Sequence, residues 1–372
     1  MDTTELQKKF DQIYTQKLEP RIQVIERERA AQAKKALILA WTFIFLFFGP
    51  FVFVFLSGKF ESFLFMIPGA ILGVHETKRH KIYRDKLKKQ LFIEILHLFG
   101  NFNYFGNELI TKEEIKRTGL FPRISDKIDD DNIAGIYNGL DVVIVETKLT
   151  HSEHRGSGRS GSHTVTDFNG LIVKIVLNKP FKGRIMLHQK YIDAATKKEI
   201  LHTHFTEALK EAKANKVVNS DLADTIGGIV SLTEKLPLNN VKLLSNEVEI
   251  NLIPEPEISV DDKLEKVILE DPEFNQMYAI YADDQVEARY ILTPTFIERL
   301  KNIRDVIGAL DVNCMIEDNS ITLFIDTLED FFEIADMYTP LNNKRLYQKM
   351  FNQLVSIFNL IYYFKLDKKL GL

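Results

Sequence analysis

The chain has 372 residues, with 48 Lys and Arg against 52 Asp and Glu, and its formal net charge is −4. Proteins that bind nucleic acids normally carry a basic surface, so this balance argues against a nucleic-acid partner. Cys314 is the only cysteine. This excludes an internal disulfide and a CxxC metal or redox site, and it agrees with a reducing, cytoplasmic location for the water-soluble part.

The N-terminal residues 1–35 predict a polar, cytoplasmic helix, with a break at Pro20 because proline cannot donate a backbone hydrogen bond. An uncharged run follows from Ala36 to Ser57. As an α-helix this run would be about 30 Å long, which is the thickness of the hydrocarbon core of a bilayer. A cleaved signal peptide does not fit, because 35 charge-rich residues precede the run and no small-residue cleavage site follows it.

A second apolar run, 60–74, is shorter. Lys and Arg are frequent before the first run and after the second, whereas the turn between the runs contains only Lys59. Positive flanks stay in the cytoplasm, so residues 36–76 predict a transmembrane helical hairpin with both termini inside. A re-entrant second segment is the alternative. Gly69 and Gly73 have the small-xxx-small spacing that brings membrane helices close together, within one chain or between copies in a homo-oligomer.

Residues 77–100 predict a basic juxtamembrane helix, because apolar side chains recur there every three to five residues. We expect it to pack against the helix that enters the membrane and to form a short intramolecular stalk. A coiled-coil partner site is the alternative. The basic residues on both flanks would meet anionic lipid head groups.

Residues 101–340 predict an α+β cytoplasmic domain with a mostly antiparallel sheet and flanking helices. Thr111 and Glu114 have the capping-box spacing that begins a short helix. Asn138-Gly139 supplies the positive φ angles of a type I′ hairpin turn between two strands. Two further strands, 168–178 and 181–190, are expected to complete one antiparallel meander of four strands.

The remainder of this domain mixes helical and strand patterns. Thr293-Pro294 predicts a helix start and Asp318-Asn319 predicts a hairpin turn. The predicted segments are a helical elaboration at 194–236, strands at 241–253, 266–270, 276–282 and 287–292, and helices at 328–337 and 344–364. The last helix belongs to a C-terminal amphipathic segment, 341–372, that packs on the domain core or, alternatively, lies on the membrane.

Three phrases of the chain resemble an uncharacterised bacterial family of membrane-anchored proteins, domain of unknown function 3137. They are DDDNIAGIYNGLDVVIVET, DFNGLIVKIVLNKPFKGRIML and, most distinctively, VILEDPEFNQMYAIYADDQVEARYILTPTFIERL. The resemblance covers roughly residues 100–340. It implies a bacterial membrane location and one shared fold, and it supplies no activity and no catalytic residues.

The segment 151–163, HSEHRGSGRSGSH, lies between two predicted strands and is interpreted as a flexible Gly/Ser-rich loop. Its formal GxGxxG match is rejected as a nucleotide site, because neither a helix nor a βαβ unit follows the glycines. Flexible loops on rigid strands often carry binding contacts, so this loop is the candidate recognition element. Its candidate residues are His151, His154, Arg155, Arg159 and His163.

No metal, cofactor or catalytic residue is predicted. Three histidines in a loop without fixed partners are a poor zinc site, since structural zinc normally needs four ligands held close together. Adjacent acidic residues such as Asp129-Asp130-Asp131 are interpreted as turn residues at strand ends. No Ser/His/Asp order, GxSxG, HExxH or Walker signature occurs.

These features predict a multi-pass protein of the bacterial inner membrane that acts as a non-catalytic binding or scaffolding module on its cytoplasmic face. The expected partners are the lipid bilayer and a protein of unknown identity. The alternative is an enzyme that acts on a membrane-associated substrate, with acid and base groups drawn from the histidines and acidic turns.

Overall fold

A computed structural model describes residues 3–57, 82–154, 162–177, 183–190, 258–334 and 339–363. The chain divides into two compact units. The first comprises Met1–Tyr104 and Phe331–Phe358, and the second comprises Phe105–Asp330 and Asn359–Leu372. The predicted segments 194–236 and 241–253 lie outside the described residues.

The described helices are α1 (Thr3–Ile13), α2 (Glu19–Ser57), α3 (Ile93–Leu96), α4 (Lys112–Arg117), α5 (Pro272–Met277), α6 (Gln285–Ile291), α7 (Pro294–Ile307) and α8 (Lys344–Tyr363). Two π-helical turns, Tyr14–Leu18 and Lys88–Phe92, precede α2 and α3, and residues 82–87 are helical. The strands are β1 (Asn101–Phe105), β2 (Asp126–Tyr137), β3 (Leu140–His154), β4 (Ser162–Val176), β5 (Ile185–Gln189), β6 (Glu265–Val267), β7 (Tyr278–Ala282), β8 (Asp311–Glu317) and β9 (Ser320–Asp326).

The predicted break at Pro20 is wrong, because the helical path continues through it. The π-turn Tyr14–Leu18 joins α1 directly to α2, and both residues that flank the turn keep right-handed helical angles. Pro20 is the second residue of α2. The π-turn directly before it already departs from the regular i→i−4 hydrogen-bond pattern that a proline cannot complete, so the helical path continues through this position.

Aromatic side chains from both ends of the chain form the interior of the first unit. The Phe10 ring stacks on Phe351 with centroids 4.6 Å apart, and the Phe99 ring stacks on Phe358 at 4.7 Å. All four side chains are buried. The apolar face of α8 therefore packs in a protein interior, but in that of the first unit and not on the core of the α+β domain as the sequence interpretation had it.

The stalk predicted from the sequence is present in the first unit. Glu94 of α3 accepts hydrogen bonds from Arg21 at 2.7 Å and from Lys17 at 3.2 Å. Further along, Lys86 lies 3.8 Å from Glu28. The residue that lies further along the N-terminal helices, Glu28, contacts the residue that comes earlier in the segment 82–96, Lys86. The two helical segments therefore run antiparallel.

Replacing Glu94 with glutamine is expected to destabilise the first unit by on the order of 1 kcal/mol at neutral pH. Burial opposes ionisation of Glu94, but Lys17 and Arg21 outweigh it and hold the pKa of the carboxyl below its ordinary value of 4.5. Its contribution is therefore present above pH 4.5 and is lost as the pH falls through the lowered pKa.

Thermal unfolding of the full-length protein at pH 7 and at about pH 3 measures this effect. The difference between the variant and the parent should shrink at the lower pH. Glu5→Gln is the control, because the Glu5–Lys9 pair is exposed. A difference that stays equally large at both pH values would contradict the assignment.

The predicted transmembrane hairpin receives no support from the described residues. Within them, no helix is both long enough and apolar enough to cross a bilayer. The described side chains of α2 end at Gly49, and residues 58–81, which include Gly69, Gly73 and the second apolar run, lie outside the described residues.

The second unit contains the antiparallel sheet, so the predicted α+β class is confirmed. Its strands lie in the order β2-β3-β4-β9-β8-β5-β7-β6, and all neighbouring pairs are antiparallel. Both predicted hairpin turns are correct. Asn138 and Gly139 have φ of 50° and 85°, and Asp318 and Asn319 have φ of 49° and 59°.

The predicted four-stranded meander is wrong at its last strand. After β4 the sheet continues with β9, whereas β5 pairs with β7 and β8. The side chain of Gln189 explains part of this choice, since its carbonyl oxygen accepts from the backbone N–H of Val312 at 2.6 Å. A partner more than a hundred residues away in sequence is not visible in the local pattern.

Two further predicted elements differ in the structure. The predicted strand 287–292 is helical, because Asp284 caps α6 by accepting from the backbone N–H groups of Val286 and Glu287. The predicted helix 328–337 is absent over 328–334, where Phe332 has a φ of 58°. The predicted helix starts at Thr111 and Thr293 are correct.

One face of the sheet packs against α4 and the chain around it. The rings of Phe121, Phe168 and Phe324 lie 5.3 to 6.2 Å apart at the centre of this core. All three are nearly fully buried. This packing holds the middle of β4 against the core. The end of the β3–β4 hairpin, where His154 pairs with Ser162, is left for other contacts.

Candidate functional site

The β3–β4 hairpin is longer than its neighbours. The β2–β3 pairing ends at Asp126 opposite Thr150, and β9 pairs with β4 only over Gly170–Val176. The β3–β4 pairing nevertheless continues to His154 opposite Ser162. We call residues 151–154 and 162–169 the β-ribbon, a two-stranded extension whose strands are connected by residues 155–161, which lie outside the described residues.

The predicted loop 151–163 is therefore shorter than expected, because both of its ends belong to strands. His151 and His154 lie in β3, and His163 lies in β4. Arg155 and Arg159 lie outside the described residues. The alternating apolar pattern of β3 stops near Thr150, so no local pattern indicates that the pairing continues.

His151 is held between two carboxylates. Its Nδ1 atom lies 2.8 Å from both oxygens of Asp167, and its Nε2 atom lies 3.2 Å from Oε1 of Glu153. Only 4% of His151 is exposed. The interpretation of the loop histidines as lacking fixed partners is wrong at this position, because the buried carboxylate of Asp167 on the facing strand holds the ring.

Asp167 and Glu153 were missed from the sequence. Glu153 is two residues from His151, and residues two apart in a strand lie on the same face. The sequence spacing could therefore have predicted that these two side chains are neighbours. Asp167 comes into reach only because the β3–β4 register shifts between Leu149 and Thr150. That irregularity has no signature in the sequence.

The electrostatics of the group centre on Asp167. Burial raises the pKa of this carboxyl above its ordinary value, although the hydrogen bond and charge of His151 and the charge of Arg123 act in the opposite direction. Glu153 is more open, with 42% of its side chain exposed. The arrangement can orient an imidazole, store a proton or present an imidazole nitrogen to a cation.

A second acidic group lies where β2 bulges. Carboxylate oxygens of Asp130, Asp131 and Glu146 all lie within 4.8 Å of one another. Asp131 is fully buried, so the interpretation of 129–131 as solvated turn residues is wrong there. Each of the three residues also makes further polar or electrostatic contacts, so their proximity alone does not define a cation site.

A cavity of about 340 Å³ lies beside the C-terminal end of α4. Its cationic lining includes Lys116, Arg117 and Arg184. The Arg184 guanidinium is already engaged, since it donates to the Arg117 carbonyl and pairs with Asp261 and Glu317. We therefore interpret the cavity as the place where α4 packs against the chain at 259–264. The β-ribbon is the better candidate for a functional site.

One family model matches a segment of the chain. Residues 254–366 match the model of a family described as Protein of unknown function (DUF3137). The resemblance read from the sequence is confirmed over this segment. No curated protein and no solved structure matches the chain.

The matched segment contains β6 to β9 and the helices from α5 onward. It includes the most distinctive of the three phrases, whereas the other two precede it. The β-ribbon, at 151–169, also lies before the matched segment. The family description therefore assigns no role to His151 and its neighbours.

Proposed function

We propose that this protein is a membrane-anchored, non-catalytic binding or scaffolding protein of the bacterial inner membrane. Residues 36–76 form its anchor as a helical hairpin, and both flanks are cytoplasmic. The β-ribbon presents residues 155–161 to a protein partner. An enzyme acting on a membrane-associated substrate is the second candidate, and the oriented imidazole of His151 is the observation in its favour.

The observation that carries the proposal is the apolar surface of α2. Beyond Lys35 this helix has no charged residue, and most of its described side chains there are exposed. The large exposed ones are Ile38 at 66%, Trp41 at 65%, Ile44 at 44%, Phe45 at 75% and Phe48 at 53%. Exposed apolar surface of this extent is unfavourable in water and favourable in lipid.

The antiparallel stalk supports the hairpin form of the anchor. Glu28 of α2 lies beside Lys86, so the two ends of the intervening chain are close together. About equal lengths of chain lie on the two sides of Ser57, which suits a path that crosses the hydrocarbon core and comes back. Lys and Arg at both flanks then remain on one side of the membrane.

Replacing both Phe45 and Phe48 with lysine is expected to move the protein out of the membrane fraction. Each lysine at the centre of a bilayer helix costs about 2.5–3.5 kcal/mol on insertion scales. The measurement is the fraction of protein that remains in membranes after washing with alkaline carbonate. Val24→Lys is the matched control, because Val24 is also exposed on α2 but lies before the uncharged run.

Two results would contradict the anchor. One is a parent protein that alkaline carbonate removes from membranes. The other is an equal loss of membrane association in the Val24→Lys control, since that would show a general effect of lysine on α2.

Partner capture from membranes in mild detergent tests the role of residues 155–161. Residues 155–161 are replaced by Asn-Gly, which suits a two-residue turn between the paired residues His154 and Ser162. We expect a stoichiometric partner of the parent protein to be lost from this variant. The control has residues 155–161 in scrambled order, which keeps composition and length.

A partner retained by both variants would place the contact elsewhere on the molecule. A partner lost from the Asn-Gly variant but kept by the scrambled one would indicate recognition by composition and charge. If no protein is captured by the parent, the scaffolding proposal fails and the enzyme candidate is preferred.

A further inference from the structure

The stretch of the second unit from residue 258 to residue 291 carries a concentrated negative charge. It contains nine Asp and Glu against three Lys and Arg, whereas the formal net charge of the whole chain is only −4. Three of these carboxylates pair with Arg184 or Lys301. The other six form no ion pair with a described residue, so an excess of negative charge remains at this surface.

Three large apolar side chains are exposed within the same stretch. Val286 and Tyr290 are 79% and 54% exposed, and residues four apart lie on the same face of a helix, here α6. Ile268, which follows β6 directly, is 67% exposed. Single exposed apolar residues are common on protein surfaces, whereas a group of them marks an interaction site.

Two hydrogen bonds hold α6 against β6 and the residue that follows it. Gln285 donates to the carboxylate of Glu265 at 3.2 Å, and Arg289 donates to the backbone carbonyl of Ile268 at 3.4 Å. Among the described strands, β6 is the last of the sheet at this end and pairs only with β7. The exposed apolar side chains of α6 and Ile268 therefore belong to one edge of the second unit.

We call residues 265–270 and 283–290 the acidic edge. Five Asp and Glu against two Lys and Arg lie in these two segments. This excess would repel the phosphates of nucleic acids and the anionic head groups of a membrane surface. Tyrosine and arginine, both present here, are enriched among the residues that contribute most to protein–protein binding.

We propose that the acidic edge is a docking surface for a basic, amphipathic segment of a partner protein, in which Lys or Arg flank large apolar side chains. The apolar side chains of that segment cover those of the acidic edge, and its cations meet Glu270 and Glu287. Complementary charges speed the association and align the two surfaces. This surface adds a second contact to the proposed binding function, and it does not involve residues 155–161.

The probe for this surface comes from a library of short random peptides displayed on phage and selected on the full-length protein in detergent. We expect the selected peptides to be enriched in Lys and Arg and to contain large apolar residues. One of them is then synthesised with a fluorescent label, and its affinity is measured by fluorescence anisotropy. The affinity should fall between 0.1 M and 1 M salt, because the Debye length shortens from about 10 Å to about 3 Å.

The double variant Val286→Ser/Tyr290→Ser should weaken peptide binding by about tenfold or more, because it removes the apolar contacts. Ile136→Ser is its matched control, since Ile136 is an exposed apolar residue of β2. The control should bind the peptide as the parent does. All three side chains are exposed, so each variant should melt at the temperature of the parent.

A second double variant, Glu270→Lys/Glu287→Lys, tests the charge by itself. It should also weaken binding by about tenfold or more, because attraction between the peptide and the surface becomes repulsion. Asp141→Lys makes the same kind of change at an exposed position of β3 and should leave the affinity unchanged.

Several results would overturn the proposal. They are a library that yields no binding peptide, selected peptides without an excess of positive charge, and equal affinities for the parent and both acidic-edge variants. Sedimentation tests another occupant: a parent oligomer that dissociates in Val286→Ser/Tyr290→Ser would make the acidic edge an interface between copies of this chain. Replacing residues 155–161 by Asn-Gly should leave peptide binding unchanged, and a loss there would assign the peptide to the β-ribbon instead.

Discussion

Gly119→Ala is expected to destabilise the second unit by about 3 kcal/mol, from two causes that act together. Gly119 has a φ of +77°, a left-handed conformation that costs an L-residue about 1–2 kcal/mol. A Cβ atom at this position would also overlap the backbone carbonyl of Ser259. The two segments are bonded here, since Ser259 N donates to the Gly119 carbonyl at 2.8 Å, so neither can move away without breaking that bond.

The matched control is Gly308→Ala. Gly308 has a similar φ of +70°, but an added Cβ would have no heavy atom within 4 Å. We expect this control to lose only the conformational part, about 1 kcal/mol. Thermal unfolding of the full-length protein measures both variants. Equal losses in the two variants would show that the close approach of Ser259 does not contribute to stability.

Phe351→Ala is expected to destabilise the first unit by about 3–5 kcal/mol, the usual range for deleting a buried phenylalanine side chain. The Phe351 ring lies 4.6 Å from that of Phe10 and 5.9 Å from that of Phe99, and it is 2% exposed. Its removal leaves a cavity between α1 and α8, which come from opposite ends of the chain. The expected fall in the melting temperature is roughly 6–20 °C for a protein of this size.

Asn352→Ala, at the next position of the same helix, is the control for Phe351→Ala. Asn352 is exposed and bonded only to Gln348 among the described contacts. Its loss should change stability by no more than about 0.5 kcal/mol. A Phe351→Ala melt that coincides with the control would indicate that α8 is not part of the cooperative core of this unit.

The position of His151 illustrates how far sequence reasoning reached at the candidate site. The histidines of 151–163 were selected as residues of interest from composition alone. Their inclusion in strands depends on a β3–β4 pairing that continues past Thr150, which no local pattern indicates. Asp167, the carboxylate that fixes the ring, is sixteen residues away and meets it only across the ladder.

Local chemistry in the sequence determined the turns and helix starts of this protein. Asn138-Gly139 and Asp318-Asn319 form their hairpins because these residue types tolerate positive φ, and Thr111 and Asp271 cap helices through their own side chains. The uncharged run of α2 and the antiparallel α+β class were likewise readable, since both depend on hydrophobic pattern over a few neighbouring residues.

Only the tertiary structure decided which strands are neighbours and which polar groups meet. The place of β5 beside β7 and β8, the helical state of 285–291 and the burial of Asp131 and His151 all depend on partners distant in sequence. The hydrophobic pattern of a strand indicates that one of its faces is buried, but it does not indicate which other segment covers that face. The packing of the whole chain therefore selects among arrangements that the local sequence permits equally.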